Sequence, residues 1–518
     1  MTSLSQRPAV LLSDLLADIR VGSANATECP VIAVGGIAID SRLVQSGDLF
    51  VAVKGHTTDG SHFIEQAIAR GAVAVLVEES QAPSFSHKHA VPLVPVNNLS
   101  EYISDIAGAF YGHPSRQIAV TAITGTNGKT TCSQLLSQLF DLLGEPAAFV
   151  GTLGYGVVDS RAGKDTAVIA TGLTTPDAIS MQRILADMAS SGAKRAAIEV
   201  SSHSLVQRRV AGLQIDTAIF TNLSRDHLDY HGDLTEYAAA KARLFAMAGL
   251  KHAVINVDDR VGRLILANLD SLVHSVGYSI ENHSAEVHCE ALNLSASGIS
   301  AHIVTPWGSG HLQSSLLGKF NLENLLAVVA AAGSQGFELN PILQTVTQLK
   351  AVNGRMELVD PSVKPAVVVD YAHTPDALEK ALQALRIHCR GELWVVFGCG
   401  GDRDTGKRAE MGSIAEHRAD RVVVTSDNPR SESPQQIIDQ ILLGITRDVL
   451  AVADRRDAIR IAIKQAREYG LHSAMPTAQA RRLCPDLVLL PPDFDRYTAA
   501  SREIMAIFRR YTPVVEPL

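Results

Sequence analysis

Short β-branched runs bounded by turn residues alternate along the chain with Ala- and Leu-rich amphipathic stretches, the pattern of βαβ units around mostly parallel sheets. The expected fold class is α/β. Residues 73–77 read as a buried strand in a first block that runs to about Pro114. Residues 118–124 read as the strand that opens a second block, and they lead straight into a Gly-rich turn followed by helical periodicity over 132–143. A third block starts near Gly354, with strands over 366–370, 393–398 and 422–425. Their carboxyl ends carry polar residues, where open α/β sheets bind ligands. Leu487–Leu490 is one more short apolar run; Pro491-Pro492 follows it at once, so any pairing is expected at a sheet edge.

Composition narrows the function classes. Hydrophobic residues make up 46% and charged residues 19%, spread through the chain, which marks a folded protein with a large core. Its 518 residues exceed one core and call for three or four domains. A net charge of −8 argues against general nucleic-acid binding, so an anionic ligand must be met by local cations and backbone N–H groups. The six cysteines (Cys29, Cys132, Cys289, Cys389, Cys399, Cys484) form no CxxC pair or metal-ligand spacing. No basic-then-apolar leader and no apolar run of about 18 residues is present. A cytoplasmic monomer with no membrane partner is expected.

Gly125, Thr126, Asn127, Gly128, Lys129, Thr130 and Thr131 follow the 118–124 strand. In that context, successive N–H groups and a helix N-terminus can cradle phosphate oxygens, Lys129 can neutralise them, and Thr130 can ligate Mg²⁺. An ordinary Gly turn is the alternative, and Ile123 stands where the usual eight-residue pattern has its first Gly. The loop identifies a phosphate user without fixing the reaction.

Gly-Thr-Asn-Gly-Lys-Thr-Thr resembles the signature of the Mur ligase family, which includes folylpolyglutamate synthetases. Glu199-Val200-Ser201-Ser202-His203, the stretch Thr221-Asn222-Leu223-Ser224-Arg225-Asp226-His227, Asn353-Gly354-Arg355-Met356-Glu357, Asp370-Tyr371-Ala372-His373 and Gly400-Gly401-Asp402-Arg403-Asp404 are similar to its diaminopimelate-adding branch. The match is colinear from about Leu11 to about Arg467. It implies a UDP-precursor-binding domain over 1–115, a central P-loop ATP-binding domain over 116–352 and a Rossmann-like amino-acid-binding domain over 353–467. The implied reaction is ATP- and Mg²⁺-dependent ligation of meso-2,6-diaminopimelate to UDP-N-acetylmuramoyl-L-alanyl-D-glutamate in cell-wall precursor synthesis. Such ligation activates a carboxylate as an acyl phosphate, which needs phosphate, metal and carboxylate in one dry cleft.

Carried over residue by residue, the resemblance makes Glu199 and His227 metal ligands beside Thr130, with a structural histidine as the plain alternative for His227, and makes Lys241 the lysine that reacts with CO₂ to give a carbamate (N6-carboxylysine). A solvated helix lysine is the plain alternative for Lys241. Asn321, Asn324, Arg355, Asp370 and His373 match ATP-side positions. Ile39, Ser41, His56, Thr57 and Thr58 match positions that read the UDP end, and Thr174, Thr175, Ser201, Gln207 and Arg209 those that hold the muramoyl peptide. Arg403 and the run Asp427-Asn428-Pro429-Arg430 match the amino-acid site. An arginine fork suits the distal carboxylate of diaminopimelate and repels the ammonium of lysine. A turn residue paired with Glu432 is the plain alternative for Arg430, and a lysine-adding homologue remains the neighbouring function.

The resemblance stops after Arg467. The family's Gly-Lys-Gly-His-Glu motif is absent, and residues 468–518 instead resemble an internal piece of a Y-family DNA polymerase. Without that polymerase's N-terminal metal-binding aspartates, no polymerase activity and no nucleic-acid partner are expected. The third sheet is expected to lack its last strand and to expose an apolar edge, leaving a nucleotide-binding protein defective in ligation as the competing function.

Overall fold

The computed structural model describes residues 9–17, 19, 30–55, 59–80, 90–162, 166–224, 226–295, 298–359, 365–389, 391–469 and 487–490. The chain divides into two compact units. The first comprises Met1–His288, Thr305–Trp307 and Asn324–Thr345, and the second comprises Cys289–Val304, Gly308–Glu323 and Val346–Leu518.

The first unit contains a two-stranded antiparallel pair, Val10–Leu11 with Ala33–Val34, and two larger sheets. Strands Gly36–Ala38, Asp48–Ala52, Ala74–Glu78 and Leu93–Val96 form a parallel sheet in sequence order. Its side chains alternate between two cores, Leu49, Val51, Ala74 and Leu76 into one and Phe50, Ala52, Val75 and Val77 into the other. Both faces are covered, which is why these strands read as unbroken apolar runs.

In the second sheet Ala119–Thr124 lies between Arg195–Glu199 and Thr217–Phe220, parallel to both. The next strand in sequence, Ala147–Gly151, pairs instead with the far side of Arg195–Glu199, and His252–Asn256 and His274–Ser279 extend the other flank. The chain therefore changes direction across the sheet at Ala119–Thr124, and ligands bind at the carboxyl ends beside such a switch. Helix Lys129–Leu142 follows that strand and buries Cys132, Leu135, Leu136, Leu139 and Phe140, one face at helical spacing. Helix Ala178–Ser190 packs on the cores of both sheets, Ile179 with the first and Met181, Ile184 and Leu185 with the second, and Gln182 Nε2 donates to Ser104 O (3.1 Å) and Gly212 O (3.3 Å).

The second unit holds a six-stranded sheet in the order Glu357–Leu358, Ala366–Val369, Leu487–Leu490, Leu393–Phe397, Arg421–Thr425, Leu450–Val452. The first pair is antiparallel and the others are parallel. This corrects two expectations. The sheet does not end short of its last strand, and Leu487–Leu490 is not an edge strand: it pairs with Ala366–Val369 on one side and Leu393–Val395 on the other. Four successive apolar residues suit an interior parallel strand. Leu490 is the last paired residue, and Pro491 follows it in the sequence. Helix Arg455–Tyr469 runs two residues beyond the boundary expected at Arg467. Ala458, Ala462 and Ala466 on this helix pack against Val367, Val369, Trp394, Val396 and Val423 of the sheet.

Candidate active site

The Gly-rich loop after strand Ala119–Thr124 lies at the carboxyl end of the switch-point strand. Gly125 (φ 151°) and Gly128 (φ 90°) occupy backbone conformations that L side chains avoid. A Cβ at Gly125 would collide with Thr221 Oγ1, and one at Gly128 would lie 2.5 Å from Asn324 Oδ1. The loop is laced to the segment after strand Thr217–Phe220. Thr126 N donates to Asn222 O (2.8 Å), Asn127 N to Asn222 Oδ1 (2.9 Å), Thr221 Oγ1 to Asn127 O (2.6 Å) and Ser224 N to Thr126 Oγ1 (3.0 Å). Thr130 and Thr131 are buried in the first turn of the helix that follows.

Two lysines converge on this loop. Lys129 Nζ donates to Gly125 O (2.8 Å) and Thr126 O (2.9 Å), and Lys241 Nζ, from helix Leu234–Ala242, donates to the same Gly125 O (2.8 Å). Lys241 is 1% exposed, which rules out the solvated-lysine alternative. Burial, reinforced by the like charge of Lys129, pushes its pKa well below the ordinary lysine value, so a neutral amine is accessible. Tyr237, one turn earlier, places its ring 4.4 Å from Lys241 Nζ and its hydroxyl 3.2 Å from Thr126 Oγ1. Burial pushes that phenol up to about 12, so it stays protonated.

Glu199 ends strand Arg195–Glu199 and is buried. Its carboxylate accepts from Thr152 N (2.9 Å) and Thr152 Oγ1 (3.1 Å), and Thr152 Oγ1 lies 3.1 Å from the Thr174 hydroxyl. Thr175 Oγ1 donates to Glu199 O (2.9 Å), and Ser201 caps helix Ser202–Val206 by accepting from Ser204 N (3.1 Å). Arg209 donates to Thr175 O (2.7 Å) and, through two nitrogens, to Gln207 Oε1 (3.0 and 2.6 Å). Thr174, Thr175, Ser201, Gln207 and Arg209 are thus one hydrogen-bonded group. His227 has a left-handed backbone (φ 54°) and lies 3.4 Å from Asp226 through Nε2. Its ring meets His203 edge-on at 4.9 Å, and His203 stacks on Tyr230 at 4.1 Å. Cys132 Sγ lies 3.4 Å from Asn324 Oδ1. In the first sheet Ser41 is buried and donates to Gln66 Oε1 (2.8 Å), while Ile39 is 36% exposed. His56, Thr57 and Thr58 lie outside the described residues.

In the second unit Arg355 stacks over the Tyr371 ring at 4.2 Å. Asp370 accepts from Met356 N (2.9 Å) and Ala372 N (3.0 Å), and burial raises its pKa against the pull of Arg355. His373 Nδ1 is 3.0 Å from Tyr371 O, and Asn321 Nδ2 donates to Leu317 O (2.8 Å). Two loops at the carboxyl ends of strands Leu393–Phe397 and Arg421–Thr425 lie side by side, where Gly401 N donates to Asn428 O (2.8 Å) and Arg430 Nη1 to Gly401 O. They carry Arg403, which is exposed, together with Asp427, Asn428, Pro429 and Arg430.

Models of three families cover most of the chain: the Mur ligase family catalytic domain over residues 33–111, the Mur ligase middle domain over 123–332, and the Mur ligase glutamate ligase domain over 354–474. The UDP-N-acetylmuramoyl-L-alanyl-D-glutamate–2,6-diaminopimelate ligase of Pseudomonas putida is 48% identical over 453 residues, 86% of this chain and 89% of that one. The chain belongs to the Mur ligase family. The Coxiella burnetii enzyme of the same name is 45% identical over 442 residues, covering 84% and 88% of the two chains. A solved structure of a ligase with that name matches with a TM-score of 0.68 at 32% identity, over 96% of this chain and 99% of the other. The impB/mucB/samB family matches residues 439–518, overlapping the end of the Mur ligase match.

Two features of this Mur ligase were not singled out from its sequence. Tyr237 stands four residues before Lys241, so its presence on the same helix face was readable from the spacing. The partner of Glu432 was not readable. It is Arg408, and not Arg430 as the plain alternative had it, with Nη1 and Nη2 donating to the two carboxylate oxygens at 2.8 Å each. Those residues lie 24 positions apart on separate elements. Among the described residues, no helix is long and apolar enough to cross a membrane.

Proposed function

We propose that this Mur ligase joins an amino group of meso-2,6-diaminopimelate to UDP-N-acetylmuramoyl-L-alanyl-D-glutamate, with ATP converted to ADP through an acyl phosphate. The observation that carries the ATP half is the pair of lysines on one phosphate-loop carbonyl, Lys129 and the buried Lys241. Backbone N–H groups of the loop and Lys129 take the nucleotide phosphates, with Asn324 bracing Gly128. On the second unit Asn321, Arg355, Asp370 and His373 are the proposed nucleotide contacts.

Mg²⁺ is the second proposed cofactor. Among the described residues no three His, Cys, Asp or Glu side chains form a cage. Mg²⁺ is commonly held by one or two carboxylates, waters and substrate phosphates. Thr130, Glu199 and His227 are the proposed ligands, with Lys241 once its neutral amine has added to CO₂, lost a proton and become a carbamate. The ion supplies charge neutralisation on the phosphates and the carboxylate being activated. Tyr237 keeps Lys241 against the loop.

For the precursor we assign the uridine end to Ile39 and Ser41, and the muramoyl peptide to Thr174, Thr175, Ser201, Gln207 and Arg209. Arg209 is desolvated, which lowers its pKa, yet it remains a cation able to grip a carboxylate. Arg403 and Arg430 are assigned to the incoming amino acid, with Asp427, Asn428 and Pro429 shaping the loop. Removing Arg430 in Arg430→Ala should weaken use of diaminopimelate by about 1.5–3 kcal/mol, the scale of a hydrogen bond to a charged group. Lysine offered at high concentration should suffer much less. The check is mass analysis of the UDP-linked product with each amino acid; equal losses for both would remove Arg430 from substrate reading.

A further inference from the structure

The loops that carry Arg403 and Arg430 are joined by a side chain that no motif singled out. Arg408, on helix Gly406–Arg418, is 0% exposed. Its guanidinium holds both oxygens of Glu432 at 2.8 Å, Gln440 Oε1 at 2.6 Å and Gly400 O at 3.2 Å. Glu432 in turn accepts from Asp402 N (2.5 Å), and Asp402 accepts from Ser431 Oγ (2.6 Å) and Ser431 N (3.2 Å). Asp402 (φ 52°) and Arg430 (φ 48°) both have left-handed backbones. Non-glycine residues keep that conformation where their surroundings over-determine it.

A fully buried guanidinium is a poor device for stability alone, because desolvation offsets most of its attraction to a carboxylate. Here it performs a different task. One planar fork fixes the carbonyl of Gly400 and the carboxylate of Glu432, and through Glu432 the N–H of Asp402, so both loops are set by a single rigid group. We infer that Arg408 is a positioning residue for amino-acid selection, holding Arg403 and Arg430 at a fixed separation so that they can meet a dicarboxylic amino acid. This rests on the assignment of these two loops to diaminopimelate. Glu432 has its pKa held down at about 2 by the same fork, so the staple stays charged at every pH at which the enzyme would work.

Two measurements on the full chain separate the staple from the substrate assignment. Hydrogen exchange on Arg408→Met, which keeps bulk and removes the fork, should speed tenfold or more in both 400–404 and 427–432, while helix Gly406–Arg418 stays protected. Glu432→Gln should loosen the same two loops, and adding it to Arg408→Met should add little. The ratio of diaminopimelate to lysine turnover should fall tenfold or more in Arg408→Met, with the KM values for ATP and the UDP precursor changed less than twofold. If only one loop loosens, or the ratio is unchanged in a variant whose parent discriminates, the inference is overturned. A parent chain that does not prefer diaminopimelate sinks the substrate assignment instead, and exchange then decides the staple alone. Should Arg408→Met not fold, Ser431→Ala cuts the Asp402 link at the surface and should loosen both loops by a smaller factor; unchanged exchange there contradicts the inference.

Discussion

Lys129 and Lys241 share a carbonyl acceptor, but their settings assign them different work. Lys129 opens a helix beside the loop, the position proposed here for the cation that meets phosphate. Its loss in Lys129→Ala should abolish ADP formation while far-ultraviolet circular dichroism stays the same, since the backbone cradle is held by Thr221, Asn222 and Ser224. ADP release at the parent rate would take the loop out of catalysis. Lys241 is enclosed, and an ammonium there is opposed by burial and by Lys129. Lys241→Ala should therefore be impaired and partly restored by a short carboxylic acid supplied in the buffer, which replaces carbamate oxygens. Full activity with no additive would leave Lys241 a packing residue.

At the scale of elements, the strand, loop and helix over residues 119–142 were legible because every signal is local: a β-branched run, two glycines that sterics require, and an apolar helical face. The grouping of Thr174, Thr175, Ser201, Gln207 and Arg209 was legible only by resemblance, since their hydrogen bonds cross between separate loops. Leu487–Leu490 was misplaced because its position depends on which strands leave a gap, a property of the sheet and not of the segment. Its interior placement makes a sharp prediction. Leu489 lies opposite Val368 and Val395, so Leu489→Pro removes an N–H from a ladder closed on both sides. Urea denaturation should show a loss of about 1–3 kcal/mol for the acceptor left unpaired. An unchanged midpoint would mean that the strand does not belong in the sheet.

For the molecule as a whole, a segment that resembles another family supplies a strand to a Mur ligase sheet. Completing a sheet asks only for apolar residues with β propensity, and Leu-Val-Leu-Leu meets that requirement whatever its source. Binding an amino acid asks for particular groups, and the sequence contains no Gly-Lys-Gly-His-Glu motif. Fold and chemistry therefore separate in this region. Nucleotide and precursor binding should persist, because their proposed residues all precede Arg467. Ligation should be slow. The decisive measurement is ADP release by the purified chain with each substrate withheld in turn, beside a chimera in which residues 468–518 are replaced by a complete family C-terminus. We predict release that requires both the UDP-linked dipeptide and diaminopimelate, severely slower than in the chimera. Release that ignores either substrate, or that lysine supports as well as diaminopimelate, would contradict the proposed ligase.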